Sequence, residues 1–326
     1  MIMGKKLNLS DRMIIKESLN QNTSAGLIIL IKKVFKYTIC FQIIGALLFS
    51  VRFIPQYGAG MGIYYSIFHS ISAFCNAGID ILGNNSLINY EHDYYINIVV
   101  MIMIIIGGLG FTVWHDIFRV IKLSITKKLG FSRSLREISI HTKIVLITTI
   151  ILFVMGAILT FIFENNNINL MKNDNLGEKI LKACFYSTTL RTAGFTTIKL
   201  DILTTATKFI SIIFMFIGGS PASTAGGVKT TTIAIILLTV ISFVRGENET
   251  VVFKRKIPFR LVKRAIAIFS ISVCIVVIAI VLLTITENLY VEQKYNMIAE
   301  NINFMDIVYE IFSAYGTVRI NTRYYK

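Results

Sequence analysis

Leu190-Arg191-Thr192-Ala193-Gly194-Phe195 breaks an apolar stretch with a short polar loop centred on small residues. The same pattern recurs at Phe74-Cys75-Asn76-Ala77-Gly78-Ile79 and at Tyr315-Gly316-Thr317-Val318-Arg319-Ile320. The copies are near-equally spaced. Each follows a short apolar segment, at 63–75, 178–191 and 303–315, too short to cross a bilayer. Each short segment is itself preceded by a longer apolar run, at 27–51, 143–163 and 265–286. The third loop differs at one position: Arg319 stands where the others carry Gly78 and Gly194.

Composition agrees with a membrane setting. Of 326 residues, 54% are hydrophobic and only 16% charged, whereas soluble domains average about 25% charged. The net charge of +15 is not spread like a nucleic-acid surface. It gathers in clusters around Lys32-Lys33-Lys36, Arg119 to Lys143, and Arg245 to Arg264, and residues 53–118 contain no Lys or Arg. Basic residues beside spans favour the cytoplasmic side, so the clusters predict cytoplasmic linkers in a multi-pass cell-membrane protein and give no support to nucleic acid as a partner. The N-terminal 22 residues are polar and basic and do not read as a signal peptide. Cys40, Cys75, Cys184 and Cys274 all sit in apolar segments without a CxxC pattern, as buried thiols do. His69, His92, His115 and His141 show no metal-ligand spacing, and no paired acid and base groups lie within spans, so the chain reads as no enzyme and with no resident metal.

The pattern predicts an all-α membrane protein made of repeated span, re-entrant pore helix and span units, resembling a potassium-channel-like pore. The expected division is 1–25 connector, 26–122 a complete unit, 123–142 linker, 143–245 a second complete unit, 246–264 linker, and 265–326 a partial unit. Irregular backbone at membrane depth survives only where protein or a water-filled cavity surrounds it. Re-entrant loops therefore imply a pathway. Helix carbonyl ends carry partial negative charge and favour cations, and glycine lets carbonyls turn inward. Amphipathic interface helices would account for one such segment more readily than for three. Asp80, Glu91 and Asp93 form an acidic outer segment that reads as a solvated loop.

A second irregular stretch, Gly218-Gly219-Ser220-Pro221-Ala222-Ser223-Thr224-Ala225-Gly226-Gly227-Val228-Lys229, splits the apolar run at 206–244. Pro221 and the glycines rule out a continuous helix. A phosphate-binding loop would need Gly-Lys-Ser/Thr at its end, but Val228 intervenes and no strand precedes it. On local sequence alone, a gate and a packing kink of small residues are equally good readings.

Several long motifs in order resemble the ion-translocating subunits of the Trk/Ktr/HKT potassium transporter superfamily, nearest to the KtrB type. They are Ser72-Ala73-Phe74-Cys75-Asn76-Ala77-Gly78, Arg191-Thr192-Ala193-Gly194-Phe195, Phe216-Ile217-Gly218-Gly219-Ser220-Pro221, Ser223-Thr224-Ala225-Gly226-Gly227 and Ser313-Ala314-Tyr315-Gly316-Thr317-Val318. The resemblance covers essentially the whole chain. It implies four repeats around one pore, with Asn76, Ala77, Gly78 and Ile79 as the second filter loop, Thr192, Ala193, Gly194 and Phe195 as the third, and Thr317, Val318 and Arg319, running on to Ile320, as the fourth. It implies a gating loop at Gly218 to Gly227 with Lys229, potassium as transported ion with sodium as a candidate co-ion, no covalently bound cofactor, a homodimer, and a cytoplasmic nucleotide-binding partner of RCK type. Arg191 matches the family and is expected to bond nearby carbonyls.

Two departures bear on activity. The chain begins at the family's connector after repeat one, so the first repeat and the last span of repeat four are expected to be missing and the chain to be a fragment. The family pattern Thr-Val-Gly-x-x-Thr-Gly reads here Thr317-Val318-Arg319-Ile320-Asn321-Thr322-Arg323. A guanidinium stays charged under all relevant conditions and would take the place of a cation among the loop carbonyls. The expectation is a potassium-uptake subunit that does not conduct alone. The alternative is a non-conducting membrane partner of a full-length subunit. A coupled transporter with a midplane site fits composition too, but repeated filter-like loops favour a pore.

Overall fold

The computed structural model describes residues 27–83, 86–127, 134, 136–247, 249–253, 255–295 and 304–320. The expected connector at 1–25 and Arg323 lie outside them. Among the described residues the chain is helical, with one small β ribbon.

The first element, α1 (Leu27–Phe74), holds both the first span and the first short helix, broken at Gly58 (φ 79°, ψ 167°) three residues after Pro55. The chain reverses there: a Cβ on Gly62 would come within 2.6 Å of the Ile54 Cα. A 3-10 turn (Ile88–Tyr90) leads to α2 (Tyr94–Leu109), whose N-terminus Asp93 caps by accepting from the Ile96 N–H at 3.1 Å. Next comes α3 (Phe111–Lys127). The sequence predicts one long span over 94–121; the structure instead bends by 94° between α2 and α3. Gly110 makes the corner with φ 91°, a backbone angle that glycine adopts without a Cβ penalty.

Then follow α4 (Ile140–Glu164), α5 (Leu176–Thr189), α6 (Thr205–Phe216) and α7 (Thr230–Val244). An antiparallel ribbon of β1 (Val251–Val252) and β2 (Arg255–Lys256) precedes α8 (Phe259–Tyr295) and α9 (Phe304–Tyr315). Among the described residues, three helices are long and apolar enough to cross a membrane, or four if the bent α2–α3 pair counts as one span. The outward faces of α4 and α8 carry exposed Ile150, Ile158, Ile162, Ile275, Ile278 and Leu282, the surface that hydrocarbon would cover.

Packing links neighbouring units through their loops. One core gathers Phe49, Phe53, Phe74 and Met103 with Ala193 and Phe195 of the second loop. Another gathers Tyr186, Leu190, Met215 and Tyr309 with Val318 and Ile320 of the third. The second and third loops thus plug into the core of the unit before them. The short helices are also pinned by hydroxyls: Tyr186 Oη lies 2.8 Å from Ser211 Oγ and 3.1 Å from Tyr309 Oη, joining α5, α6 and α9. Lys208 Nζ on α6 pairs with Asp306 Oδ1 on α9 at 2.8 Å.

Helix α5 starts with a capping box: Asn175 Oδ1 accepts from the Glu178 N–H at 2.9 Å, and Glu178 Oε2 accepts from the Asn175 N–H at 3.0 Å. Asn175→Ala should cost about 1 kcal/mol. A lowered unfolding temperature of the detergent-solubilised chain checks this, and an unchanged one contradicts it.

Candidate functional site

The three loops share one backbone conformation. The first residue of each has positive φ, 50° at Asn76, 69° at Thr192 and 57° at Thr317. So does the third, 64° at Gly78, 87° at Gly194 and 61° at Arg319. Arg319 adopts the angle that its counterparts reach as glycine, at roughly 1–2 kcal/mol of local strain.

Each loop is tied to its own short helix in the same way. Ser72 Oγ donates to Ile79 O at 2.6 Å and accepts from the Ile79 N–H at 3.0 Å. Ser313 does the same with Ile320, at 2.7 and 2.9 Å. In the middle copy Thr189 donates to Phe195 O. The Ala77 N–H bonds Ser72 O and the Val318 N–H bonds Ser313 O, at 2.9 and 2.8 Å, closing the helix ends with wide turns. Ser72 and Ser313 share an offset of seven residues from Ile79 and Ile320, the sequence signal for this anchoring.

The loops converge. A Cβ on Gly78 would lie 2.5 Å from Ala193 O, and one on Gly194 would lie 2.7 Å from Val318 O. Residues 192–195 are buried between the other two loops, whereas Ile79, Thr317 and Arg319 are exposed. From the third loop, Arg319 Nη1 reaches the first and donates to Ala77 O at 3.0 Å. Helices α1, α5 and α9 therefore end at one place, where their negative carbonyl ends can act together.

Ser220 to Val228 lies beneath. Phe216 O and Val228 O accept from the Val228 and Gly218 N–H groups at 3.1 and 3.0 Å, closing the segment at its base. Its donors complete the broken α2–α3 corner. The Ser220 N–H and Oγ both donate to Gly108 O at 3.0 Å, the Thr224 N–H donates to Gly107 O at 3.4 Å, and the Phe111 N–H donates to Ala222 O at 2.8 Å. Two irregular segments that neither helix could satisfy at membrane depth thus satisfy each other. Thr224 Oγ1 donates to Phe74 O, the end of α1, at 3.0 Å. A Cβ on Gly226 would come within 2.2 Å of Thr317 Oγ1, so the segment touches the loops themselves. Lys229 Nζ turns back to Ala225 O at 2.7 Å.

Among the described residues Arg191 bonds no carbonyl, contrary to the expectation. It is buried, its Nη2 meets Thr149 Oγ1 on α4 at 3.5 Å, and its Nε has no partner. Beyond the first loop, burial pushes the Asp80 carboxyl above the usual carboxylate range, opposed by His69 and by hydrogen bonds from Leu82 and Ser86.

Converging short helices and loops, with a small-residue segment packed against them, define an α-helical membrane protein. The TrkH family model, described as a cation transport protein, matches residues 3–319. The chain belongs to this family and is an integral membrane protein of it. It is 37% identical over 318 residues to the Ktr system potassium uptake protein B of Bacillus subtilis strain 168, covering 98% of this chain and 66% of that protein. It is also 37% identical over 317 residues to the potassium/sodium uptake protein NtpJ of Enterococcus hirae, covering 97% of this chain and 65% of that one. The chain thus spans just under two thirds of the length of these relatives. The crystal structure of the potassium transporter TrkH from Vibrio parahaemolyticus shares the fold, with TM-score 0.66 and 18% identity over 95% of this chain and 67% of that one.

Proposed function

We propose that this chain is the translocating subunit of a Ktr/Trk-type potassium uptake system, and that Arg319 holds its pathway shut to potassium. In this reading 26–122 and 143–245 are complete repeats and 265–326 a partial one. Loops 76–79, 192–195 and 317–319 line the pathway, and Gly218 to Lys229 gates it from the cytoplasmic side. The observation that carries the reading is the hydrogen bond from Arg319 Nη1 to Ala77 O. A tethered guanidinium binds a loop carbonyl that would otherwise face the ion. It keeps its charge at any relevant pH, so a potassium ion meets both repulsion and an occupied ligand.

Potassium fits as the substrate because both relatives named above take up potassium by name; sodium is a candidate co-ion on the strength of NtpJ alone. The Ktr system name supports a regulatory partner, and the basic segments at 119–143 and 245–264 offer it a cytoplasmic face. We assign that partner to the RCK type and the chain to a homodimer from the resemblance.

The test is rubidium flux into liposomes holding the purified chain. The expected flux equals that of empty liposomes. Flux that saturates with external potassium would refute Arg319 as a plug. If the chain is silent yet co-purifies with a full-length subunit and alters its flux, the partner role replaces the translocating one.

A further inference from the structure

A cluster to which the ion pathway assigns no role lies where the 3-10 turn meets the start of α5. His92 follows the 3-10 turn, while Asp174 and Glu178 flank the N-terminus of α5. One ligand atom from each of the three lies within 4.8 Å of the others. His92 Nδ1 is 3.0 Å from Glu178 Oε1, and its Nε2 is 3.1 Å from Glu91 Oε1. We propose that His92, Asp174 and Glu178 form a binding site for a divalent transition metal of the zinc type.

Four features support the assignment. The donor set of one imidazole and two carboxylates suits zinc better than magnesium or calcium, which prefer oxygen alone. Ligands on one tetrahedral zinc, with bonds of about 2.0–2.2 Å, stand about 3.3 Å apart, so side-chain rotation closes the cluster without moving backbone. The supporting shell is already built: Glu178 Oε2 is held by the Asn175 N–H at 3.0 Å, leaving Oε1 toward His92. Asp174 Oδ2 is paired with Lys182 Nζ at 2.8 Å, which holds it beside the cluster. A cleft of about 530 Å³, lined by Glu91, His92, Asp174, Lys182 and Lys199 among others, opens onto the site.

Charge points the same way. Glu91, Asp174 and Glu178 face the cluster with Lys182 as their buried counter-cation, 3.4 Å from Glu91 Oε2. Lys199 lines the same cleft, so three carboxylates stand against two lysines and the excess of negative charge favours a cation. Lys182 competes for Asp174, so the affinity should be micromolar rather than the far tighter binding of structural zinc sites. A bound ion would tie the segment before α2 to the start of α5, two parts of the chain that belong to different units.

The test titrates zinc chloride into the full chain purified in detergent, followed by calorimetry and thermal unfolding. One zinc per chain should bind and raise the unfolding temperature. His92→Ala should weaken binding by about 10-fold or more, since even loss of an outer-shell partner costs that much. Glu178→Gln should do the same while keeping the capping box, in which glutamine also serves. His141→Ala should bind like the parent, and magnesium should not compete. Folded His92→Ala chain with parental affinity, or folded parent chain without saturable zinc binding, overturns the proposal.

Discussion

Potassium stabilises the Arg319→Gly chain and leaves the parent chain unchanged: that is the result expected when unfolding temperature is followed against potassium concentration. Arg319 donates to Ala77 O at 3.0 Å and holds a left-handed φ of 61°. Glycine removes the cation, frees the carbonyl, and relieves roughly 1–2 kcal/mol of backbone strain. The strain relief raises stability at every ionic strength, whereas the cation effect appears only with potassium and grows with its concentration. An Arg319→Lys chain separates the two contributions, because it keeps the charge and loses the planar fork. It should remain insensitive to potassium. Equal responses to potassium in all three chains would show that the loops hold no cation site governed by position 319.

Gly107→Ala should destabilise the molecule strongly. The added Cβ would lie 1.9 Å from Phe74 O, a backbone atom at the end of α1. Neither side can yield easily, since Phe74 O also accepts from Thr224 Oγ1 at 3.0 Å and Gly107 O from the Thr224 N–H at 3.4 Å. Overpacking of this kind costs about 1–3 kcal/mol and can exceed that against backbone. Gly60→Ala is the matching control, because nothing lies within 4 Å of its Cβ position. The Gly107 variant should unfold at clearly lower temperature and elute partly as aggregate, with the Gly60 variant like the parent. Similar behaviour of the two would mean that the α2–α3 corner does not pack on α1 as described.

The features legible in the sequence share one cause. Small residues, proline and glycine stand out against apolar runs because they mark backbone that cannot be helical. The short helices and their loops, and the break near Pro221, were visible for that reason. The bend at Gly110 was not, because a glycine in the apolar run Ile104 to Val113 changes neither period nor polarity enough to announce a 94° corner. The break at Gly58 divides α1 into a span and a separate short helix. Reciprocal bonding between 107–111 and 220–224 is a long-range pairing of backbone groups, which side-chain patterns do not encode. Arg191 illustrates the same limit: its burial against α4 with Thr149 as partner depends on packing. His92 shows no ligand spacing with the other histidines, yet folding brings it to Asp174 and Glu178 from a distant segment.

The central claim is that position 319 faces the ion path, so that a cation fixed there stops passage. Its most direct test places arginine at the matching position of the Bacillus subtilis relative. Potassium uptake is then measured in cells lacking their own systems, with membrane abundance checked. The account predicts uptake at the level of cells without the protein. Uptake near that of the unaltered relative, at equal abundance, would contradict it.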